Sequence, residues 1–420
     1  MRVLQVIILN LYLIWGLIIT EIFQQILFKN LKDIMQIPFH KPLVPKSDKE
    51  IFTDSILNGW ITTGPAVQKF EKILSSYTNS EFVIAVNSCT AALHLALAAK
   101  GFGKGDKFIA PTYTFVASVE VGEYLGMQPI LVDCDSSFNF DIDKIEKILK
   151  KEKDVKAIIP VHFAGKPVDM KRIKRISDKY NLFILEDAAH ALESYSNLGK
   201  IGDTSHATAF SFYANKNITT AGEGGALTTN DGAFADKIRK LSLHGMSKDG
   251  WKRFSSKGKW YYDVSELGYK YNLTDIAASF GIFQFNYIKD WHSKREKIFN
   301  LYQESFKDIG GIILPQNVAD IEKHSYHLYV IRLDDSRWRI SRNQFINLLN
   351  KKGIGTSVHY RPVHMHSYYK NKYLYKDSDF PNASKFFNNV ITLPLYPLLK
   401  EEEVNYIINI INSIWSKYQI

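Results

Sequence analysis

From about residue 80 onward, short apolar runs alternate with segments whose apolar positions recur every three or four residues. The runs at 82–86, 107–110, 130–133, 157–161, 183–185 and 207–212 read as buried strands, and the segments at 90–100, 143–151 and 169–180 read as helices. Alternation of this kind predicts an α/β layer fold with a mostly parallel sheet. It stops near residue 230. A polar, aromatic stretch at 247–271 then reads as a long loop or hairpin, followed by a helical segment from 275 to about 307. A strand-like run at 327–333 opens a region that mixes both periods, which predicts a second, smaller α+β lobe. The expected division is a large domain at 35–290 and a small C-terminal domain at 291–420, with the boundary inside a helix that bridges them.

The first 34 residues break the pattern. The run at 3–20 carries no charge and is long enough to raise a transmembrane helix. A cleaved signal peptide fits poorly, because Arg2 is the only early positive charge and no clear small-residue cleavage site follows. Two readings of residues 1–34 stay open: a membrane anchor, or residues upstream of a true start at Met35, where globular patterning begins. The second is preferred.

Composition narrows the class. A chain of 420 residues is long for one core and fits two lobes, and 45% hydrophobic with 23% charged residues is ordinary for a soluble protein. The formal charge of +10 comes from scattered lysines with no basic block, which argues against a nucleic-acid partner. It reads as a solvated surface or as attraction for an anionic substrate such as a sugar nucleotide. Cys89 and Cys134 make neither a disulfide framework nor a metal-ligand cluster, so no metal is expected and a cytoplasmic location is.

The candidate chemistry sits at the ends of the predicted strands. Lys216, in SFYANKNITTAGEGG, follows a buried strand and precedes a glycine-rich turn. A lysine held there in a partly dry pocket loses proton affinity and can attack a carbonyl to form an imine. Asp187 ends the strand in LFILEDAAH, where open α/β sheets collect ligands. Alone it reads as a helix cap; beside Lys216 it fits the acidic partner that keeps a pyridoxal-phosphate (PLP) ring nitrogen protonated. Ser88 and Thr90 in VNSCTAALHL stand where a strand turns into a helix. They either cap that helix or cradle a phosphate. Ser211 offers a further hydroxyl. Phe115 stacks on the pyridine ring or belongs to the core.

Taken together, NSCTAAL, PTYTFVAS, EDAAHA, SFYANKNITTAGEGG, GYKYNLTDIAA and GIGTSVHYRPVH resemble the DegT/DnrJ/EryC1/StrS sugar aminotransferases, in the right order from about Met35 to the C-terminus. The resemblance implies a type I aminotransferase fold, whose large domain holds a mostly parallel, seven-stranded mixed sheet. It also implies PLP and a homodimer with shared active sites. Lys216 falls on the Schiff-base lysine, Asp187 on the partner of the pyridine nitrogen, and His190 on a position close to the cofactor ring. Cys89, Thr90 and Ser211 fall on phosphate-binding positions and Phe115 on the stacking aromatic. Asn272 matches an asparagine that reaches the phosphate from the neighbouring subunit; read alone, it is a helix cap. Because Lys216 is not replaced by His, as in the dehydratases of the family, transamination is expected. The expected amino donor is glutamate and the acceptor a nucleotide-linked keto sugar, a 4-keto-6-deoxy hexose foremost, for amino-sugar and cell-surface polysaccharide synthesis. Thr62 in WITTGP and His359, Tyr360 and His364 in HYRPVHMH, with Arg361 among them, are the candidate substrate residues. A plain turn and a surface loop are their ordinary alternatives. The alternative function is a non-catalytic regulator that binds PLP or a sugar nucleotide.

Overall fold

The computed structural model describes residues 35–44, 55–57, 59–246 and 263–420. The apolar run at 3–20 and most of the expected loop at 247–271 lie outside the described residues. Strands β1 (Phe82–Val86), β2 (Lys107–Pro111), β3 (Gln128–Val132), β4 (Val155–Ile158) and β5 (Phe183–Asp187) come first. A two-strand ribbon, β6 (Tyr195–Ser196) and β7 (Gly199–Lys200), precedes β8 (Ala207–Ser211) and β9 (Gly225–Thr229). The main sheet has seven strands in the order β1-β9-β8-β5-β4-β2-β3. Only β9 runs against the rest, antiparallel to both of its neighbours. β5 lies at the centre and buries all five of its residues, as a strand covered on both faces must.

Helices cover both faces: α1 (Pro65–Thr78), α2 (Cys89–Ala99), α3 (Ala117–Glu123), α4 (Ile142–Leu149), α5 (Met170–Tyr180) and α6 (Gly232–Leu241). Side chains alternate across a strand. Ala110 and Leu185 therefore pack with Leu93 and Leu97 of α2 and Phe234 and Ile238 of α6. Their neighbours Ile109 and Ile184 pack on the other face with Ile145 of α4 and Ile173 of α5. Local sequence sets the helix limits. Ser88, Asp169 and Asp231 each accept a backbone N–H from the first turn of α2, α5 and α6, and Asn181 ends α5 in the left-handed conformation.

The segment read as one helix from 275 to about 307 is two, α7 (Asp275–Phe285) and α8 (Ile288–Phe306). The break falls at Asn286 and Tyr287, whose amides bond to Phe283 and Gln284, three residues back, and close α7 on a tight turn. α8 then joins two cores. Ile288 and Trp291 pack with Phe70 and Phe212 beside the main sheet. Ile298, Phe299, Tyr302 and Phe306 pack with Tyr329 and Ile331 of a second sheet. That sheet is antiparallel, in the order β10 (Ile312–Ile313), β11 (Tyr329–Leu333), β12 (Val390–Leu393). It carries α9 (Arg342–Lys351) and α12 (Glu401–Tyr418), while α10 (Ser367–Tyr373) and α11 (Pro381–Asn389) lie between β11 and β12 in sequence. The opening segment joins this lobe, since Ile37 is buried in its core and exchanges backbone bonds with Gly353 and Gly355 at 2.8 Å each. Among the described residues no helix is long and apolar enough to cross a membrane.

One buried carboxylate docks the early loop 60–64. α1 has Gly64 as its cap residue, which offers its orphan amides no side chain. Asp275, the first residue of α7, takes that place. Its Oδ1 accepts from Gly64 N (2.7 Å) and Val67 N (3.0 Å), and its Oδ2 from Ala66 N (3.0 Å). Asp275→Ala leaves three amides without a partner and should lower stability by roughly 3 kcal/mol, read by chemical denaturation. A loss below about 1 kcal/mol would show that those amides find other acceptors.

Candidate active site

The carboxyl ends of β5 and β8, neighbours in the sheet, bring the principal candidates together. After Ser211 the chain loops before returning as β9. Phe212 fastens the loop: its N–H donates to Gly224 O (2.8 Å), and its carbonyl accepts from Thr220 N (3.1 Å) and Thr219 Oγ1 (3.0 Å). Lys216 sits in this loop, half-buried, with its N–H donating to Tyr213 O (2.9 Å). Burial brings its amine down to about 8, although the nearby Asp187 carboxylate pulls the other way. Roughly a tenth of such amines are neutral at pH 7, against well under a thousandth at the ordinary value.

Asp187 is buried at the end of β5. Ser118 Oγ donates to its Oδ2 (2.6 Å) and Ala189 N to its Oδ1 (3.1 Å), so both oxygens are oriented. α2 begins beside this pair. Ser88 Oγ accepts from Ala91 N (3.0 Å), Thr90 is half-buried, and Cys89 is buried within electrostatic reach of Lys216 and Asp187. Burial, with Asp187, holds the Cys89 thiol protonated. Gly225 makes this close approach possible. A Cβ on Gly225 would lie 2.3 Å from the Ser88 carbonyl carbon and 2.5 Å from Cys89 N, so only glycine lets β9 lie against the start of α2. Ser211 is half-buried at the end of β8.

His190 and Tyr360 meet on the other side of Asp187. Ala164 N donates to His190 Nδ1 (3.2 Å), and His190 Nε2 lies 3.0 Å from the Tyr360 hydroxyl. The Phe115 ring stands 5.9 Å from that of Tyr360 and is 57% exposed, which sets it on an open wall and not in the core. Asn272 bridges Val86 of its own chain, and its side chain holds Thr63 Oγ1 (2.7 Å) and Lys270 Nζ. The structure thus places it near the start of α2 and does not use it as a cap; Thr274 caps α7 instead.

The substrate candidates divide. His359 is buried, its Nδ1 paired with Thr392 Oγ1 (2.9 Å), and burial together with Lys216 brings it down to about 3. Tyr360 shares its surroundings. His364 is buried elsewhere with both ring nitrogens engaged, by Thr112 Oγ1 (2.7 Å) and Ser384 Oγ (3.1 Å), so it has no polar atom left for a ligand. Arg361 turns outward to bond Met365 O (2.8 Å). Thr62 is exposed and gives its carbonyl to Asp275 N (3.0 Å).

A buried network beside Lys216 has no counterpart in the sequence reading. Asn217 Nδ2 donates to Glu193 Oε2 (2.6 Å) and Ser325 O (3.0 Å), while its Oδ1 accepts from His327 Nδ1 (2.8 Å). Glu193 in turn pairs with Arg295. His40 Nε2 and Asn215 Oδ1 belong to residues lining the cavity that Lys216 also lines, both atoms buried with no hydrogen-bond partner among the described residues. Asn217 follows the lysine directly, yet its partners lie 24 and 110 residues away, a separation that no local motif reports.

A half-dry amine, an oriented carboxylate and a capped helix start, at the carboxyl edge of a parallel sheet, suit a group with an aldehyde, a ring nitrogen and a phosphate. The comparisons agree. A Streptococcus pneumoniae structure, the putative sugar aminotransferase Spr1654 in its PLP form, superposes with a TM-score of 0.83 at 33% identity, over 91% of this chain and 99% of that one. Helicobacter pylori PseC, an aminotransferase involved in the biosynthesis of pseudoaminic acid, gives 0.84 at 27% identity, over 91% and 100%. The fold is therefore the PLP-dependent aminotransferase fold of type I. The spore coat polysaccharide biosynthesis protein SpsC of Bacillus subtilis is 43% identical over 90% of this chain and 97% of its own. Residues 44–412 match the profile of the DegT/DnrJ/EryC1/StrS aminotransferase family, and the chain belongs to that family, as a PLP-dependent sugar aminotransferase.

The buried histidines predict an acid limit. His40 and His364 are held down to about 4, and His324 and His359 to about 3, burial being the first cause in each. An unfolded chain takes up these protons near 6.5, so between 6.5 and 4 it binds more protons than the folded one, and stability falls as pH drops. Each histidine contributes up to about 1.4 kcal/mol per pH unit across that window. Melting temperature should fall steeply from pH 6.5 to pH 4; a flat profile would contradict neutral burial.

Proposed function

We propose that the protein moves an amino group from glutamate to a nucleotide-linked keto sugar, a 4-keto-6-deoxy hexose foremost, for a cell-surface polysaccharide. The observation that carries this reading is the placement of Lys216 and Asp187 at adjacent strand ends, one a softened amine and the other an oriented carboxylate. Two of the similar proteins, one for spore coat polysaccharide biosynthesis and one involved in the biosynthesis of pseudoaminic acid, support the substrate class.

Lys216 would hold the cofactor through its ε-amine, and Asp187 would keep a proton on the pyridine nitrogen. Ser88, Cys89, Thr90 and Ser211 would receive the phosphate, with Phe115 and His190 against the ring. When bound, PLP supplies an electron sink that lets a proton leave the carbon bearing the donor's amine. Lys216 Nζ then serves as the base for that proton and returns it as the acid, a task that needs an amine neutral part of the time near pH 7. Ser118 and Ala189 hold the Asp187 oxygens in place while this happens. His359 and Tyr360 border the acceptor side, with Thr62 on the early loop.

We further propose a large cofactor domain up to about residue 290 and a smaller one after it, which the opening segment around Ile37 joins, in a homodimer whose Asn272 serves the partner's phosphate site. The buried, unpaired Cys89 and Cys134 agree with a cytoplasmic location.

Purified protein incubated with glutamate and a panel of keto sugar nucleotides should yield an amino sugar and 2-oxoglutarate. Cofactor binding without turnover of any member would favour the regulatory alternative. Lys216→Ala should abolish turnover. Asp187→Asn should keep the fold but lose at least about a hundredfold in rate, near 3 kcal/mol of barrier; near-normal rates would assign its role elsewhere. Mixing Asn272→Ala with Lys216→Ala chains should restore activity, because one site of the heterodimer escapes both defects. No recovery in proven heterodimers would keep Asn272 in its own subunit.

A further inference from the structure

Side chains alternate along the chain into β11, so Leu328, Val330 and Arg332 share one face. It is the inward face, because Leu328 and Val330 belong to the core that includes the main sheet. An arginine thus takes a place in a row of core residues, half-buried. Its guanidinium lies 3.9 Å from the centre of the Phe386 ring and 5.5 Å from that of Phe138. Ring faces attract the charge but do not take up the N–H donors that leave the guanidinium in its own plane. Where Arg295 meets Glu193, Arg332 meets no carboxylate among the described residues. The groups that act on it are the Cys134 thiol and the Tyr113 hydroxyl, both held protonated by burial. A cation drawn out of water in this way needs a counter-charge.

Arg332 lines a cavity of about 20 Å³ between β11, the loop after β3 and the segment after β10. The other polar side chains there have protons to give. Ser136 Oγ accepts from Gln316 Nε2 (2.8 Å), which leaves its own proton uncommitted. Lys166 Nζ gives one of its three protons to Gln316 Oε1 (2.9 Å). His324 Nδ1 accepts from Tyr326 N (2.7 Å), so the neutral, buried ring keeps its proton on Nε2. The nearby carboxylates Asp135 and Glu322 act on Lys166, and Asp135 Oδ1 is already taken by the amide and hydroxyl of Ser137, at 2.7 and 2.6 Å. Four donors, two of them charged, suit an anion. A volume of about 20 Å³ admits one small polar group, and a planar carboxylate matches the guanidinium fork with two parallel bonds. We infer that this cavity is a binding site for a small carboxylate, held by Arg332 with Ser136, Lys166 and His324. The Phe163 ring, which also lines it, stands 6.3 Å from that of His190 and 6.1 Å from that of Tyr360, so the cavity lies one ring behind the candidate active site.

The test follows the melting temperature of the PLP-loaded protein as sodium formate is added, with ionic strength held constant by a bulky sulfonate. Binding to the folded chain alone should give a saturable rise, half complete at millimolar formate. Arg332→Gln should weaken that binding at least roughly tenfold. Lys216→Ala should keep the rise, because it alters the candidate active site and leaves this cavity as it is. No rise, an equal rise in Arg332→Gln, or a rise lost in Lys216→Ala overturns the proposal. Crystals of the wild-type protein soaked in formate decide the case in which Arg332→Gln does not fold. Formate in the plane of the guanidinium supports the site, and water alone there overturns it. Neither measurement depends on which residue anchors the cofactor.

Discussion

The buried pair between Glu193 and Arg295 is the constraint on which the site depends. Glu193 belongs to the loop after β5, and Arg295 to the helix that spans both cores. Both side chains are almost wholly out of water, at 1% and 3% exposure, so neither charge has a solvent alternative. Breaking such a pair by removing one partner costs about 3–5 kcal/mol, because it strands a buried charge. Glu193 has a second oxygen, and that oxygen holds Asn217, the neighbour of Lys216. The same asparagine reaches Ser325 and His327, and Ser325 Oγ bonds the carbonyl of His190. One ion pair thus fixes the lysine loop, the loop after Asp187 and the entry to β11 relative to one another.

Seen from this pair, the two lobes have different tasks. The main sheet gathers chemistry at its carboxyl edge, as parallel sheets do. The C-terminal part supplies the wall opposite it: Tyr360 and His359 on one side, and His327 packed 4.3 Å from the His190 ring on the other. The N-terminal segment closes the back, with His40 beside the lysine loop and Ile37 in the C-terminal core. Rigid support from three directions suits the role proposed for Lys216, since an amine that anchors a cofactor and moves a proton has to return to the same place.

Periodicity made most of the main sheet legible. The runs at 82–86 and 183–185 coincide with β1 and fall within β5, and the others miss their strands by one to three residues at an end. β9 is not legible by period, because two glycines lead into it and give the stretch the composition of a turn; the glycine at its start is there to admit α2, a reason that appears only in three dimensions. The helix break at Asn286 carries no proline or glycine to mark it. At the site, Lys216, Asp187 and the helix start were readable because each sits at a junction between two periods. Asn217, Glu193, Arg295 and Asp275 were not, because each acts through a partner distant in sequence. The histidines show the limit from the other side: His359 and His364 sit five residues apart in one polar tract, yet one lies near the site and the other is sealed between Thr112 and Ser384.

The central claim is that Lys216 is the residue that holds the cofactor. Borohydride reduction of the PLP-loaded protein, followed by peptide mapping, reads this directly. The account predicts a pyridoxyl group on the peptide containing Lys216 and on no other. A label on a different lysine, with Lys216 unmodified, would contradict it.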